Sequence, residues 1–252
     1  MKSNPPGRSN VTHRIFLPEA LAEACTVALR GSAFTHAVRV LRLREGDPLC
    51  VFNGDGSEYA ARITAATRDQ AEILLESRHH PATESPLPTT LLQAVGKGER
   101  MDWALQKATE LGVTRIRPVT TRRCNVRIDD RRWQKKINHW RGVVVSACEQ
   151  SGRVVVPELL PVCDLDAALA ECDAALRLML AFDGDGNGAL PAAAPDGVAL
   201  LVGPEGGLDE AEIASARRAG FTGWRLGQRV LRTETAPVAA LALLQQRYGD
   251  LG

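Results

Sequence analysis

The chain has 252 residues, is 44% hydrophobic and 24% charged, and carries a net charge of +1. That length allows one large domain or two small ones with a proper core. No apolar run reaches the roughly 20 residues that cross a bilayer, which excludes a helical membrane span. The six cysteines (Cys25, Cys50, Cys124, Cys148, Cys163, Cys172) form no C-x-x-C pair and have no histidine at zinc-like spacing, so they read as reduced, mostly buried thiols and no metal is expected.

Residues 1–12 read as a disordered leader without the apolar segment of a secretory signal, and the expected compartment is the cytoplasm. "HRIFLP" predicts a strand and "SAFTHAVRVLRL" a short helix. "REGDPLCVFNGDGSEYAARITAATRDQAEILLES" predicts strand, turn, strand, turn, strand, punctuated by "EGD" and "NGDG". Close-spaced short strands point to a small β-barrel module over 13–76. "SRHHPATESPLP", 77–88, is polar with three prolines and has the composition of a linker.

From residue 89 to 252 the texture alternates. "TTLLQAV" predicts a strand, "ERMDWALQKATEL" a helix ended by Gly112, and "VTRIRPV" a strand. A long helix is expected from about Asp129 to Gln150, with Trp133, Ile137, Trp140, Val144 and Ala147 on one face. "RVVVP" reads as extended, "DLDAALAEC" as helical, and "LRLMLAF" and "VALLV" as strands. "DEAEIASARRAG" is a helix with Asp209 as N-cap, Glu212 completing a capping box and Gly220 closing it. "GWRLG" is a short strand and "APVAALALLQQRYG" a final helix. Strands alternating with helices, several of them continuously apolar, indicate a parallel sheet covered on both faces.

The near-zero net charge hides a segregation. Residues 97–153 hold 14 Lys and Arg against 6 Asp and Glu, whereas 154–252 hold 7 against 14. A basic block in a near-neutral chain suggests a polyanion footprint; the competing reading is a solvated helix face or pairing with the acidic segment.

Two connections carry the strongest chemical signal. "LVGPEGGLDEAE", 201–212, ends an apolar strand in a glycine-rich turn and enters a helix. Ligands of α/β sheets bind beyond the carboxyl ends of strands, and glycine lets backbone approach them. No lysine follows and Glu205 sits inside, which excludes a P-loop. A ligand with a base and a positive centre fits better, although such a turn is often only a turn. "LGQRVLRTETA", 226–236, follows the next strand; Thr233 or Thr235 reads as an N-cap with Pro237 in the first turn. Capping leaves unexplained Arg229, Arg232 and Glu234 in an otherwise apolar segment. "ACEQSGR", 147–153, adds Glu149 and Arg153 at a helix end, and "VGKGER" adds Lys97 and Arg100 at a strand end.

In this order and at these separations, "KGERMDWALQKATELGV", "ACEQSGR", "LVGPEGGLDEAE" and "LGQRVLRTETA" resemble the RsmE family, bacterial 16S rRNA uridine-N3 methyltransferases of the SPOUT superfamily. "HRIFL" and "THAVRVLRLREGD" extend the resemblance over nearly the whole chain from about residue 13. It implies an α/β domain with a SPOUT-type parallel sheet and a C-terminal trefoil knot, preceded by a small PUA-like β-barrel. It implies a homodimer that binds S-adenosylmethionine and 16S rRNA in the small subunit. By position, Leu180 and Phe182, then Leu201, Gly203, Pro204, Glu205 and Gly207, then Leu226, Gly227, Val230, Leu231, Thr235 and Ala236 would line the cofactor site. Arg14, Lys97, Arg100, Arg122, Arg123 and Arg127 would track phosphates.

Uracil N3 becomes nucleophilic when its proton leaves and charge spreads onto the flanking oxygens; a cation or amide donor near those oxygens would stabilise the anion, and a carboxylate within hydrogen-bond reach could take the proton. Arg232, then Arg153, are the candidate stabilisers; Glu149 and Glu234 compete as base, and Glu205 faces the sulfonium or organises its loop. Other open readings are methylation of a ribose 2′-hydroxyl or guanine N1, and a non-catalytic RNA-binding assembly factor.

Overall fold

The chain divides into two units, and the division does not follow the two textures of the sequence. The computed structural model describes residues 13–124, 130–180 and 190–252, which places Phe182 and Arg127 outside the described residues. One unit comprises the chain up to Glu84 together with Cys148–Val156; the other comprises Ser85–Ala147 and Pro157–Gly252.

The first unit holds β1 (Arg14–Phe16), β2 (Thr26–Leu29), β3 (Pro48–Phe52), β4 (Glu58–Ala66) and β5 (Ala71–His79). They form a sheet in the order β1-β3-β4-β5-β2. The pairs are antiparallel except β1 with β3, and β4 and β5 change register at Ala60/Ala61 and Ile63/Ala65. Such bulges bend a sheet on itself, and they curl this one into a half-barrel. Alternation in β4 and β5 sends Tyr59, Ala61, Ile63, Ile73 and Leu75 into a core shared with Ile15, Leu29, Leu49 and Val51. Each fully buried aliphatic here contributes about 1.5–3 kcal/mol. β2 escaped the sequence reading because "TVAL" is four residues long with no turn signal before it. The predicted helix is a single turn, α1 (Gly31–Phe34), that widens into a π-helical stretch over Thr35–Val40. Of the 77–88 stretch, residues 77–79 belong to β5.

Among the described residues the second unit contains β6 (Thr89–Ala94), α2 (Glu99–Glu110), β7 (Arg115–Thr120), α3 (Asp130–Ser151), β8 (Glu158–Leu159), β9 (Cys163–Asp164), α4 (Leu165–Ala170), β10 (Leu176–Leu180), β11 (Val198–Val202), α5 (Glu210–Arg218), β12 (Thr222–Trp224) and α6 (Thr235–Tyr248), with the last residues of α3 passing into the first unit. Its sheet runs β12-β10-β11-β6-β7-β8, with β9 also on β7, and every pair is parallel. β11 is buried at all five positions, as its unbroken apolar run requires. The expected α3 face divides: Trp140, Val144 and Ala147 are buried, whereas Trp133 and Ile137 are only half-buried. The capping box of α5 forms as read, Asp209 accepting from Glu212 N–H and Glu212 from Asp209 N–H; the cap is Ala219, with Gly220 following at φ +84°. On α6 the buried Gln245 accepts from Ser85 Oγ at 2.6 Å and donates to Leu111 O at 2.9 Å.

All six cysteines are free, but only Cys50 and Cys148 are buried, and Cys25 is exposed. Burial pushes the Cys50 and Cys148 thiols up to about 12, which keeps them protonated and unreactive. No helix among the described residues is long and apolar enough to cross a membrane.

Candidate cofactor and RNA site

Because the sheet is parallel, the connections after β6, β7, β10, β11 and β12 all leave one edge. Chain order breaks between β11 and β6, which are spatial neighbours but separated by most of the domain in sequence. That is where open α/β sheets bind ligands.

The connection after β11 is held from three sides. Leu201 and Pro204 are buried. A Cβ on Gly203 would lie 3.3 Å from both the Leu208 amide nitrogen and its Cγ, so the strand end is packed to the backbone. Gly207 sits at φ +71°, a left-handed conformation that side-chain-bearing residues rarely adopt. Glu205 Oε1 accepts from Arg100 Nη1 at 2.8 Å and from the Lys97 amide at 3.2 Å. Burial alone would raise the Glu205 carboxyl, but its own amide, the Arg100 guanidinium and the Lys97 amide outweigh that and hold it below the ordinary range. Glu205 therefore organises the loop. From the connection after β7, Arg123 Nη1 donates to Gly206 O at 2.9 Å. Arg122 donates from its backbone to Glu212 and from its side chain to Asp209.

The connection after β12 differs from its sequence reading. α6 starts at Thr235 with Glu234 in the cap position, and no side chain caps it. The Thr233 hydroxyl instead donates to Gly203 O at 2.8 Å and accepts from Gln93 Nε2 at 3.3 Å. A tertiary partner took the group that local capping would have used. Arg229 and Arg232 are exposed, and among the described residues neither guanidinium has a hydrogen-bond or ion-pair partner. Glu234 is half-buried, and its Oε2 is fully buried with no hydrogen-bond partner among the described residues. Leu226, Leu231, Thr235 and Ala236 are half-buried, Gly227 is exposed, and Val230 is 78% exposed. Leu180 is half-buried at the end of β10.

Glu149 and Arg153 lie in the first unit. Arg153 is 3% exposed, and its guanidinium donates twice to Glu84 Oε2, at 3.0 and 2.6 Å. Glu84 Oε1 takes the Val154 and Val155 amides. Glu84 was invisible in a stretch that reads as linker. Arg14 is committed too: it pairs with Glu58, donates to Arg153 O at 3.0 Å and covers the Phe52 ring at 4.9 Å. Of the described phosphate candidates, Arg14, Arg100, Arg122 and Arg123 thus all make internal contacts, while the Lys97 ammonium makes none among the described residues. Exposed cations also line α3 at Arg131, Lys135 and Arg141.

Glu149 Oε1 accepts from the Phe16 amide at 3.0 Å, and Oε2 lies 4.0 Å from His36 Nδ1. Burial raises its carboxyl above the ordinary 4.5, against the lowering by the Phe16 amide, His36 and Arg14. A carboxyl with a raised folded-state value is destabilising once ionised, so its contribution to stability falls as pH rises through that value. Glu149→Gln keeps an acceptor for the Phe16 amide and removes the ionisation. Its Tm is expected to equal or exceed that of the unaltered chain at pH 7, with the gap closing as pH drops below 4.5; a lower Tm at both pH values would contradict this.

The donor set can be tested against a bound nucleoside with a cationic centre. The edge offers backbone carbonyls, two carboxylates, half-buried leucines and, at Glu234 Oε2, a buried acceptor with no donor among the described residues. Acceptors and apolar surface suit a ligand rich in amines and hydroxyls and bearing positive charge.

Comparisons with known proteins agree with that chemistry. Residues 83–245 match the family described as RNA methyltransferase domain, and residues 29–76 match the RNA methyltransferase PUA domain. The Ribosomal RNA small subunit methyltransferase E of Bacillus subtilis is 30% identical, over 90% of this chain and 92% of its own length. A Legionella pneumophila methyltransferase solved with the cofactor SAM superposes at a TM-score of 0.88, 40% identical, covering 95% of this chain and 99% of that one. The Ribosomal RNA small subunit methyltransferase E of Neisseria gonorrhoeae, bound to S-adenosyl methionine, does so at 0.88 with 38% identity and the same coverage.

Proposed function

This chain belongs to the RNA methyltransferase family, in its ribosomal RNA small subunit methyltransferase E branch, and we propose that it methylates N3 of a uridine in 16S rRNA using S-adenosylmethionine. The observation that carries the reading is the junction of the 203–209 and 225–234 connections through Thr233 and Gly203 at the carboxyl edge of the sheet.

The cofactor, when bound, supplies an electrophilic methyl group. The chain's own residues position the donor and manage the uridine's charge and proton. Leu180, Leu201, Leu226 and Leu231 would flank the apolar part of the cofactor, and the carbonyls and amides of Gly203, Gly207 and Gly227 its polar edges. Arg232, exposed and without a hydrogen-bond or ion-pair partner among the described residues, is the stabiliser of charge developing on the uracil oxygens; Arg153 is already occupied by Glu84. Glu234, two residues from Arg232 with an unpartnered carboxylate oxygen, is the base that takes the N3 proton. Glu149, the competing carboxylate, lies in the first unit with Oε1 on the Phe16 amide, and comparing Glu234→Gln with Glu149→Gln tests the choice. Lys97 and the exposed α3 cations would track phosphates. Two copies form the working enzyme, and the two connections are the crossings of a trefoil knot.

The decisive test is mass mapping of small-subunit rRNA nucleosides from cells with and without the protein. Loss of one N3-methyluridine with the protein, regained on re-expression, is expected. A missing 2′-O-methyl or N1-methylguanosine signal instead would overturn the atom assignment, and an unchanged profile the activity.

A further inference from the structure

A glutamine has no packing reason to stand where Gln93 stands. It lies near the carboxyl end of β6, inside the sheet between β11 and β7, and is 1% exposed among Leu91, Leu92, Ala94 and Val95. A leucine or methionine would fill the position without burying an amide, which costs about 1–3 kcal/mol when a polar group stays unpaired. The amide is only partly satisfied. Nε2 donates to Ala94 O at 3.2 Å and to Thr233 Oγ1 at 3.3 Å, while Oε1 is buried with no partner among the described residues.

The arrangement has a direction. A hydroxyl has one proton to give, and Thr233 gives it to Gly203 O at 2.8 Å. Its oxygen can therefore only accept from Gln93, which turns the amide so that Oε1 faces away and stays orphaned. Gln93 pairs with Val202 across the sheet, and Gly203 follows Val202. The relay thus runs from β6 to the connection after β12 and back to the end of β11, closing over one strand spacing. Gly96 completes the packing: a Cβ there would lie 3.5 Å from Glu205 Oε1 and 3.8 Å from Thr233 Cγ2.

We propose that Gln93 is a positioning residue that, through Thr233, locks the 203–209 and 225–234 connections in register, so that both present their backbone groups to the cofactor as one surface. This inference rests on the cofactor reading above. The cost of an orphaned carbonyl oxygen is accepted because the relay requires the amide in that orientation, and hydrogen-bonded networks of this kind specify one arrangement where an apolar core tolerates several. Gln93 acts on the ligand through Thr233 and the loops.

The test is calorimetric titration of the full-length chain with S-adenosylhomocysteine, alongside cofactor KM, kcat and thermal unfolding. Gln93→Met preserves volume without the amide, and Thr233→Val preserves shape without the hydroxyl. Each is expected to weaken S-adenosylhomocysteine binding about tenfold, the scale of one lost hydrogen bond. Cofactor KM rises in parallel, while kcat at saturating cofactor changes by less than about threefold. Thr233→Ser restores binding to within about threefold, and the double variant is no weaker than the worse single one, because both break the same relay. Binding by Gln93→Met or Thr233→Val within twofold of the unaltered chain, or losses that multiply in the double variant, overturns the inference alone. If Gln93→Met does not fold, the contrast between Thr233→Val and Thr233→Ser decides: equal affinities overturn the relay. Absence of binding by the unaltered chain overturns the cofactor reading, and this inference with it.

Discussion

Arg232→Ala is expected to lower single-turnover methylation of small-subunit rRNA by about 10²–10³-fold, the range seen when one preorganised donor to a developing anion is removed. Cofactor affinity should stay within about threefold. The reasoning is structural: Arg232's carbonyl accepts from the Thr235 and Ala236 amides, which anchors the backbone at the start of α6. Its guanidinium meanwhile has no hydrogen-bond or ion-pair partner among the described residues. Truncation therefore removes a charge and leaves no buried partner unpaired. Arg232→Lys should recover only part of the rate, since an ammonium keeps the charge but not the planar pair of donors. Full single-turnover activity in Arg232→Ala would transfer the role to another cation.

Glu84→Ala is expected to cost about 3 kcal/mol of stability, because it removes the carboxylate that takes two bonds from the Arg153 guanidinium, a charge only 3% exposed. For a chain of this size that lowers the apparent Tm by about 6–12 °C in scanning calorimetry. The reverse variant separates charge burial from simple loss of contact. Arg153→Met leaves Glu84 27% exposed and still bonded to the Val154 and Val155 amides, so its cost should be about 1 kcal/mol. Equal losses from the two variants would show that the pair contributes through packing rather than through the buried charge.

Both predictions concern residues that the linear chain presents in the same way, as charges in polar surroundings. Arg153 and Arg232 each stand in a motif beside a carboxylate, and periodicity offers no means of telling a committed guanidinium from a free one. The distinction is set by Glu84, 69 positions from Arg153, and only folding brings it there. Arg14, Arg100, Arg122 and Arg123 behave alike. As part of a cationic count they suggest phosphate contacts, yet each is taken up by a carboxylate or a carbonyl from a distant segment. Net charge measures what is available before pairing, and pairing is tertiary.

What the amino-acid order determined by itself was whatever depends on neighbours within a few residues. The unbroken apolar run of β11 made it an interior strand of a parallel sheet. Asp209 and Glu212 wrote the start of α5, and the glycine-rich turn fell at the carboxyl end of β11. The family motifs then tied those local signals to a chemistry. Only the tertiary structure decided that Thr233 serves Gly203 rather than a helix end, that Glu205 holds its own loop through Arg100 and Lys97, and that a lone glutamine in an apolar strand joins two connections. The reason is the same in each case. A hydroxyl, an amide or a carboxylate is satisfied by whichever partner the fold brings within about 3 Å, and that partner's position in the chain leaves no periodic trace.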